Sequence, residues 1–247
     1  MASPLEQFEI KKIIPIELLG YDISFTNSAM AMLITTVAIL SFFYVGLKNA
    51  SIVPDKKQTL VELSYEFIAN MIGDNIGKEG LKYFSFILSL FLFILIGNLL
   101  GMLPYSFTWT SHIIVTFSIS FFIFIAVTLI AIAKHGLVKF LTFFAPKGVP
   151  KIMLILLIPI EIISYLSRPI SLSVRLFANM MAGHTLLKVI GGFVFVLASN
   201  SFLVGGLLPL GFLVALTGLE IVIAFLQAYV FAILTCIYLN DALNLHH

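Results

Sequence analysis

The chain has 247 residues, of which 60% are hydrophobic and only 11% carry a charged side chain. A soluble globular domain has about 25% charged residues, so this composition indicates an integral membrane protein. The formal net charge of +2 is too small to suggest a nucleic-acid partner, and the single cysteine, Cys236, excludes an internal disulfide framework and a cysteine-based zinc site.

The first third of the chain predicts an N-terminal segment, one membrane span and one amphipathic helix. The N-terminal segment, residues 1–25, opens without the apolar core of a signal peptide. Residues 26–47 carry no charge and reach the roughly 20 residues that a bilayer crossing requires. Residues 58–80 mix carboxylates with apolar side chains at helical spacing, which predicts a helix on the membrane surface. Its apolar positions are Leu60, Leu63, Phe67, Ile68 and Met71.

The middle of the chain predicts a helical hairpin over residues 83–133. Its two spans, 83–103 and about 112–133, are joined by the loop YSFTWTSH. His112 is the only acidic or basic residue in this loop. The glycines of GNLLG, Gly97 and Gly101, have the spacing typical of close helix packing. A basic connector follows at 134–151.

Two apolar tracts close the chain, at roughly 152–197 and 203–241. A continuous helix of 40 residues would be about 60 Å long, twice the hydrocarbon thickness of about 30 Å. Each tract therefore breaks at a proline or glycine, forms two short spans, or lies strongly tilted. No polar loop is present for a turn, so we expect two long, tilted, antiparallel helices with kinks. The candidate break points are Pro159, Pro169, Gly183 and Pro209.

The sequence thus predicts a single all-α membrane domain over residues 1–247, with about five spans and one surface helix. Lysines are concentrated in the loop after the first span and in the basic connector, whereas the loops at 104–112 and 197–206 contain neither Lys nor Arg. Under the positive-inside rule, the N-terminus lies outside and the C-terminus lies in the matrix or cytoplasm.

Ionisable side chains inside the last two tracts are the candidate functional residues. An Arg, Lys or Asp near the bilayer centre costs at least about 2.5 to 3.5 kcal/mol, so such groups usually face water or a partner. For Arg168, snorkelling or pairing with Glu161 or an acidic loop is the favoured interpretation, and for Lys188 snorkelling to the interface is favoured. The other members of the set are Glu161, Arg175, His184, Glu220 and Asp241.

Helical phase sorts these residues into two groups. Glu161, Arg168 and Arg175 are spaced by seven and drift by only about 20° per step, and Asn179 stays near that stripe. Glu220 and Gln227 are again seven apart. If the tracts are antiparallel, Glu220 lies near His184 at the outer end, and Asp241 lies near Glu161 at the inner end.

This layout suits proton passage that is interrupted at one point. Carboxylates and imidazole can relay protons, whereas a guanidinium does not release its own. Arg175 would therefore separate an outer titratable cluster from an inner one. A moving carrier with a carboxylate is needed to complete the path, and we expect it to belong to a partner.

The segment SLSVRLFANMMAGH resembles subunit a of the F-type ATP synthase. The resemblance extends over nearly the whole chain, through GNLLGMLPYSFTWTSH, LIPIEIISYLSRPISLSVRLFANMMAGHTLLK and LTGLEIVIAFLQAYVFAILTCIYLNDALNLH. It implies a fold in which the two long tilted helices curve around a rotor ring. The opening SPLEQFEI and the AGH variant are most similar to mitochondrial and alphaproteobacterial members.

The resemblance also implies roles for individual residues. Arg175 matches the arginine that faces the rotor carboxylates, and His184 and Glu220 match the outer half-channel. Glu161 and Asp241 match acidic residues of the inner half-channel, and Asn179 and Gln227 match polar neighbours of the arginine. Arg168 differs in type from relatives and is left outside this set.

The implied function is that of a non-catalytic, proton-translocating stator subunit without a cofactor or metal. The expected partners are the rotor c-subunit ring, the peripheral stalk with other ATP synthase subunits, and the lipid bilayer, but no nucleic acid. The expected location is the mitochondrial inner membrane or, alternatively, a bacterial inner membrane. A self-contained proton-coupled transporter, with Glu161 and Glu220 as carriers, is the alternative. An intramembrane hydrolase is disfavoured because no HExxH motif occurs.

Overall fold

The fold was analysed in a computed structural model, which describes residues 9–15, 17–18, 21–22, 24–48, 50–103, 106–143, 151–200 and 204–244. Seven α-helices account for most of these residues: α1 (Asn27–Leu47), α2 (Lys56–Asn75), α3 (Phe84–Gly101), α4 (Ile113–His135), α5 (Leu137–Phe143), α6 (Lys151–Asn200) and α7 (Val204–Leu243). Five helical segments in the described ranges are long and apolar enough to cross a membrane. The predicted all-α membrane fold is confirmed.

Two small antiparallel strand pairs precede α1, and the sequence analysis did not predict them. Strands β1 (Lys12–Ile14) and β4 (Phe25–Thr26) pair with each other, and β2 (Glu17–Leu18) pairs with β3 (Tyr21–Asp22). The Thr26 hydroxyl then accepts a hydrogen bond from the backbone N–H of Ala29 and caps α1. The short sheet therefore leads directly into the first span.

The helix predicted over 58–80 begins two residues earlier and ends five residues earlier than expected. It begins after Asp55, whose carboxylate accepts from the backbone N–H of Lys56, and it ends before Gly77, which has a φ of +80°. A six-residue 3₁₀ helix, Lys78–Tyr83, then leads into α3. Ile68 and Met71 are buried against the rest of the chain, whereas Leu60 and Leu63 are 58% and 55% exposed. The buried face is formed instead with Val61 and Ile72.

The predicted hairpin is formed by α3 and α4, and the loop between them is more ordered than expected. Residues Trp109–Ser111 form a 3₁₀ turn whose indole is 1% exposed. The Trp109 indole N–H donates to the Thr35 hydroxyl of α1 over 3.2 Å. Because Gly97 has no side chain, the Trp109 indole packs directly against the backbone of α3. GNLLG thus packs against the connecting loop rather than against a neighbouring span.

The two closing tracts form unbroken helices, α6 and α7. Pro159 and Pro169 lie inside α6, and Pro209 lies inside α7, without ending either helix. At 1.5 Å per residue, the 50 residues of α6 extend about 75 Å. The connector predicted at 134–151 also contains a short helix, α5, which the sequence analysis missed. Its residues 144–150 lie outside the described ranges, and the tilt of α6 and α7 stays a prediction.

A hydrophobic core lies where α2, α3, α4 and α7 meet α6. Its largest fully buried members include Ile68, Ile87, Ile123, Leu176 and Phe231. Helix α6 packs most extensively on α7 and on α4. This packing holds α6 along one side of the helical domain and leaves its opposite face exposed, which positions the site described next.

Candidate functional site

The polar residues of α6 lie on or beside the stripe that packs on α7. Leu172, Leu176, Met180 and His184 recur every four residues and are all buried. Arg175 and Asn179 flank this stripe and are exposed at the surface of the chain. Helical periodicity therefore places titratable groups in the seam, which is the contact between α6 and α7, and Arg175 on the exposed face of α6.

Glu220 and His184 meet in the seam, as the antiparallel arrangement predicted. The His184 Nδ1 lies 3.5 Å from the Glu220 Oε1, and the two side chains are only 9% and 5% exposed. Gly183 makes room for the carboxylate, because a methyl group there would lie 2.6 Å from the Glu220 Oε1. The imidazole is thus the titratable group that the structure places nearest this buried carboxyl.

The Thr108 hydroxyl completes this group from the α3–α4 loop. Its oxygen lies 3.2 Å from the His184 Nε2, and its O–H group donates to the Gly101 carbonyl over 3.0 Å. The sequence analysis missed Thr108 because an uncharged loop residue without periodicity carries no signal for a contact with a helix 76 residues away.

Asn179 and Gln227 form the next polar contact along the seam. The Asn179 amide donates to the Gln227 Oε1 over 3.0 Å. Asn98 of α3 also contacts α7, where its amide donates to the Ala224 carbonyl over 3.4 Å. Asn98 is therefore an interhelical hydrogen-bonding residue.

The far end of the seam pairs Asp241 with Arg168 rather than placing it beside Glu161. The Arg168 guanidinium lies 3.0 Å from the Asp241 Oδ2. It also lies over two aromatic rings, 5.2 Å from the centroid of Tyr165 and 4.8 Å from that of Tyr238. Glu161 makes no ion pair with any residue in the described ranges. It precedes Arg168 by seven residues, or about 10 Å along α6.

The side-chain contacts between α6 and α7 occur in opposite sequence order along the two helices. His184 contacts Glu220, Asn179 contacts Gln227, and Arg168 contacts Asp241, as antiparallel helices require. From Arg168 to His184 the rise along α6 is roughly 24 Å. Arg175 lies between these ends, and within the described part of the chain no acidic side chain pairs with it. The two titratable groups are therefore separated by a cation.

Metal binding has no support in this arrangement. In the ranges that the structure describes, no group of three or more His, Cys, Asp and Glu side chains has a spacing that could hold a metal ion. Cys236 is buried in the core and away from the polar contacts of the seam. The titratable side chains of the seam can take part in proton transfer and charge pairing.

The fold and the seam define a multi-pass helical membrane protein with ionisable groups along its last two helices. Comparison with known proteins gives the particular family. The family described as ATP synthase A chain matches residues 29–240. The chain therefore belongs to the ATP synthase subunit a family, and the predicted resemblance is confirmed.

Individual relatives agree over their whole lengths. ATP synthase subunit a of Pelagibacter ubique is 60% identical over 246 residues, which cover 99% of each chain. The protein of the same name from Rhodospirillum rubrum is 56% identical over 246 residues and 100% of each chain. That from Mesorhizobium japonicum is 53% identical over 247 residues, 99% of this chain and 98% of the relative. These relatives are bacterial, and together with the five spans they indicate a multi-pass inner-membrane protein.

Proposed function

We propose that this chain is the stator proton channel of an F-type ATP synthase, with Arg175 as the barrier between two half-channels. Glu220 and His184 form the outer half-channel, and Glu161 and Asp241 form the inner one. Asn179 and Gln227 line the seam beside the arginine. The observation that carries this proposal is the exposed guanidinium in the middle of α6, with no acidic partner among the described residues.

An unpaired arginine at this depth needs a partner outside the chain. The cost of a guanidinium at the bilayer centre is at least about 2.5 kcal/mol, which an ion pair or an aqueous cavity must offset. A carboxylate on a neighbouring membrane subunit supplies both the opposite charge and a group that can carry a proton. The rotor c-subunit ring with its membrane carboxylates is the partner that fits this requirement.

Proton transfer from one end of the seam to the other cannot occur within this chain. Direct proton transfer needs donor and acceptor at hydrogen-bond distance, about 2.6 to 3.2 Å, or one bridging water. The two groups are about 24 Å apart along α6. A proton therefore enters at Glu220 and His184, neutralises a ring carboxylate, and leaves toward Asp241 and Glu161 after the ring has turned.

The driving force and the location follow from this mechanism. Each proton that crosses about 100 mV delivers about 2.3 kcal/mol, and the ring converts this free energy into rotation. The chain contains no phosphate-binding GxxxxGK[ST] loop, so ATP chemistry belongs to other subunits, reached through the peripheral stalk. The bacterial relatives favour a bacterial inner membrane over a mitochondrial one, with the N-terminus outside and the C-terminus inside.

Replacing Arg175 tests the barrier. In membrane vesicles that contain the complete ATP synthase, Arg175→Ala should reduce proton-driven ATP synthesis by at least about a hundredfold, because the ring carboxylate can return its proton without a full turn. Assembly should persist, since Arg175 is exposed and makes no internal ion pair in the described part of the chain. The measurements are the rate of synthesis and the amount of subunit recovered with the complex.

Ser171→Ala is the matched control, because Ser171 is exposed one helical turn before Arg175. It should leave synthesis within about twofold of the wild type, as expected for a surface substitution. Near-normal synthesis in Arg175→Ala would refute the barrier. An equal loss in both variants would assign the effect to the helix surface rather than to the charge.

A further inference from the structure

The Thr108 hydroxyl lies at the start of a short chain of buried polar contacts. It donates to the Gly101 carbonyl over 3.0 Å, and its oxygen lies 3.2 Å from the His184 Nε2. On the other side of the imidazole, Nδ1 lies 3.5 Å from the Glu220 Oε1. Thr108, His184 and Glu220 are 5%, 8% and 4% exposed. Thr108 and His184 therefore depend on their neighbours rather than on bulk solvent, and the Glu220 carboxyl oxygens have the imidazole nearby but no hydrogen-bond partner among the described residues.

Counting protons along this chain determines the tautomer of His184. A threonine hydroxyl has one proton and can accept through its oxygen, whereas a backbone carbonyl only accepts. Gly101 is the last residue of α3, and its carbonyl lacks an intrahelical partner. The Ser106 Oγ lies 3.0 Å from the same carbonyl oxygen but closer, 2.6 Å, to that of Leu100, so we assign the Thr108 proton to the Gly101 carbonyl. The Thr108 oxygen is then left as an acceptor. The His184 Nε2 must donate to it, and so it carries a hydrogen.

We propose that Thr108 is a positioning residue that holds His184 with its proton on Nε2, so that Nδ1 alone exchanges a proton with Glu220. This inference rests on the proposed function, because it gives a direction to the outer half-channel. The partner nitrogen of an imidazole commonly fixes which nitrogen is available for chemistry.

The exchange balances as a simple proton transfer. When the pair closes from 3.5 Å to hydrogen-bond distance, the O–H bond of the neutral Glu220 carboxyl breaks and an N–H bond forms at the His184 Nδ1. The products are a Glu220 carboxylate and an imidazolium whose Nε2–H still points to Thr108. Loss of the Nδ1 proton to a ring carboxylate restores the starting tautomer, and a proton from the outer side restores the neutral Glu220 carboxyl. Nε2 keeps its hydrogen throughout.

Close packing at both ends supports a built arrangement. A methyl group at Gly101 would lie 2.5 to 3.0 Å from three atoms of Thr108, and one at Gly183 would lie 2.6 Å from the Glu220 Oε1. The absence of side chains at these two positions allows the hydroxyl to reach the end of α3 and the carboxyl to reach the imidazole. The backbone at Gly101 and Gly183 therefore allows Thr108, His184 and Glu220 to make these contacts.

Substitution of Thr108 separates its hydroxyl from its volume. In vesicles with the complete ATP synthase, Thr108→Val should lower proton-driven synthesis about fivefold, the factor that the loss of one hydrogen bond typically produces. Thr108→Ser keeps the hydroxyl and should retain most of the rate. Thr110→Val is the matched control. Thr110 is also fully buried in this loop, but its hydroxyl has no hydrogen-bond partner among the residues that the structure describes.

A spectroscopic measurement distinguishes positioning from a general loss of structure. In the complex labelled with ¹⁵N-histidine, the His184 signals are those that disappear in His184→Gln. The wild type and Thr108→Ser should show a single neutral tautomer with hydrogen on Nε2. Thr108→Val should show a mixture of both tautomers, and Thr110→Val should match the wild type.

The inference would be overturned by a wild-type signal with hydrogen on Nδ1, or by an unchanged signal in Thr108→Val. Glu220→Gln, measured in parallel, separates this failure from that of the proposed function. Unchanged proton flux in Glu220→Gln would remove the Glu220–His184 pair from the proton path. Impaired flux in Glu220→Gln together with an unchanged tautomer in Thr108→Val would refute only the role of Thr108.

Discussion

The side chain of Arg168 is held in place by an ion pair and by two aromatic rings. Its guanidinium pairs with Asp241 over 3.0 Å and lies over the rings of Tyr165 and Tyr238. The Tyr165 hydroxyl is in turn 2.7 Å from the hydroxyl of Thr128 on α4. Arg168 therefore holds Asp241, the residue that we place in the proposed inner half-channel, although the family resemblance left Arg168 unassigned.

A double-mutant cycle should detect this coupling. Arg168→Met and Asp241→Asn should each reduce proton-driven ATP synthesis, and the double variant should be less impaired than the two losses combined predict. We expect a coupling energy of about 1 kcal/mol, because side chains in direct contact do not act independently. Partial exposure of Asp241 keeps the value well below that of a fully buried pair.

Lys188→Met provides the control for this cycle. Lys188 is a cation on the same helix, but it lies 20 residues from Arg168, or about 30 Å along α6. Its loss combined with Asp241→Asn should be additive. Additive behaviour of the Arg168 pair as well would show that the ion pair does not position Asp241.

Among the structural elements, the α3–α4 loop depends on one glycine. A methyl group at Gly97 would overlap the indole of Trp109, which is also packed on Phe93 with ring centroids 4.8 Å apart. Because the indole is rigid and donates to Thr35, it cannot move away without losing that hydrogen bond. Gly97 thus connects α1, α3 and the loop that carries Thr108.

Gly97→Ala should therefore destabilise the protein by about 2 kcal/mol, as overpacking does in a filled core. Gly73→Ala is the comparison, because no atom lies within 4 Å of a methyl group at that exposed position of α2. It should be neutral or stabilise by up to about 1 kcal/mol. Thermal unfolding of the detergent-solubilised protein measures both. Equal unfolding temperatures for the two variants would contradict the proposed packing.

The helices could be predicted from the sequence because their length, hydrophobicity and phase depend on residues that are close together in the chain. The spans follow from about 20 apolar residues in succession, and the contact between His184 and Glu220 follows from helical phase and antiparallel order. Phase gives an angle around a helix but not the axial offset between two helices. For that reason the sequence predicted Glu161 as the neighbour of Asp241, whereas the structure pairs Asp241 with Arg168.

Contacts made by uncharged loops left no signal of this kind. Thr108 has neither charge nor periodicity, and its contact with His184 depends on how the loop folds against α6. The strands β1 to β4 and helix α5 are short, so neither length nor alternation distinguishes them from loops. The structure of these loops, strands and short helix depends on tertiary packing. Patterns within a single segment of the sequence do not reveal such packing.

Considered as a whole, the molecule should not conduct protons alone. The purified chain in liposomes should show no proton uptake above that of empty liposomes under a membrane potential, because Arg175 separates the two half-channels and no ring is present. Adding the c-subunit ring and the remaining subunits should restore flux. Substantial uptake by the chain alone would favour the alternative of a self-contained transporter, and the Arg175→Ala chain tests whether that uptake depends on the cation.

The three side-chain contacts between α6 and α7 also fix the axial register of the two helices. They join Glu220 to His184, Gln227 to Asn179, and Asp241 to Arg168. A slip of α7 by one helical turn, about 5.4 Å, would break all three at once. In the proposed mechanism, the entry and exit for protons are therefore set by a single axial register. The helix pair would have to withstand torque from the ring as one rigid unit, since any sliding of α7 along α6 would disrupt both ends together.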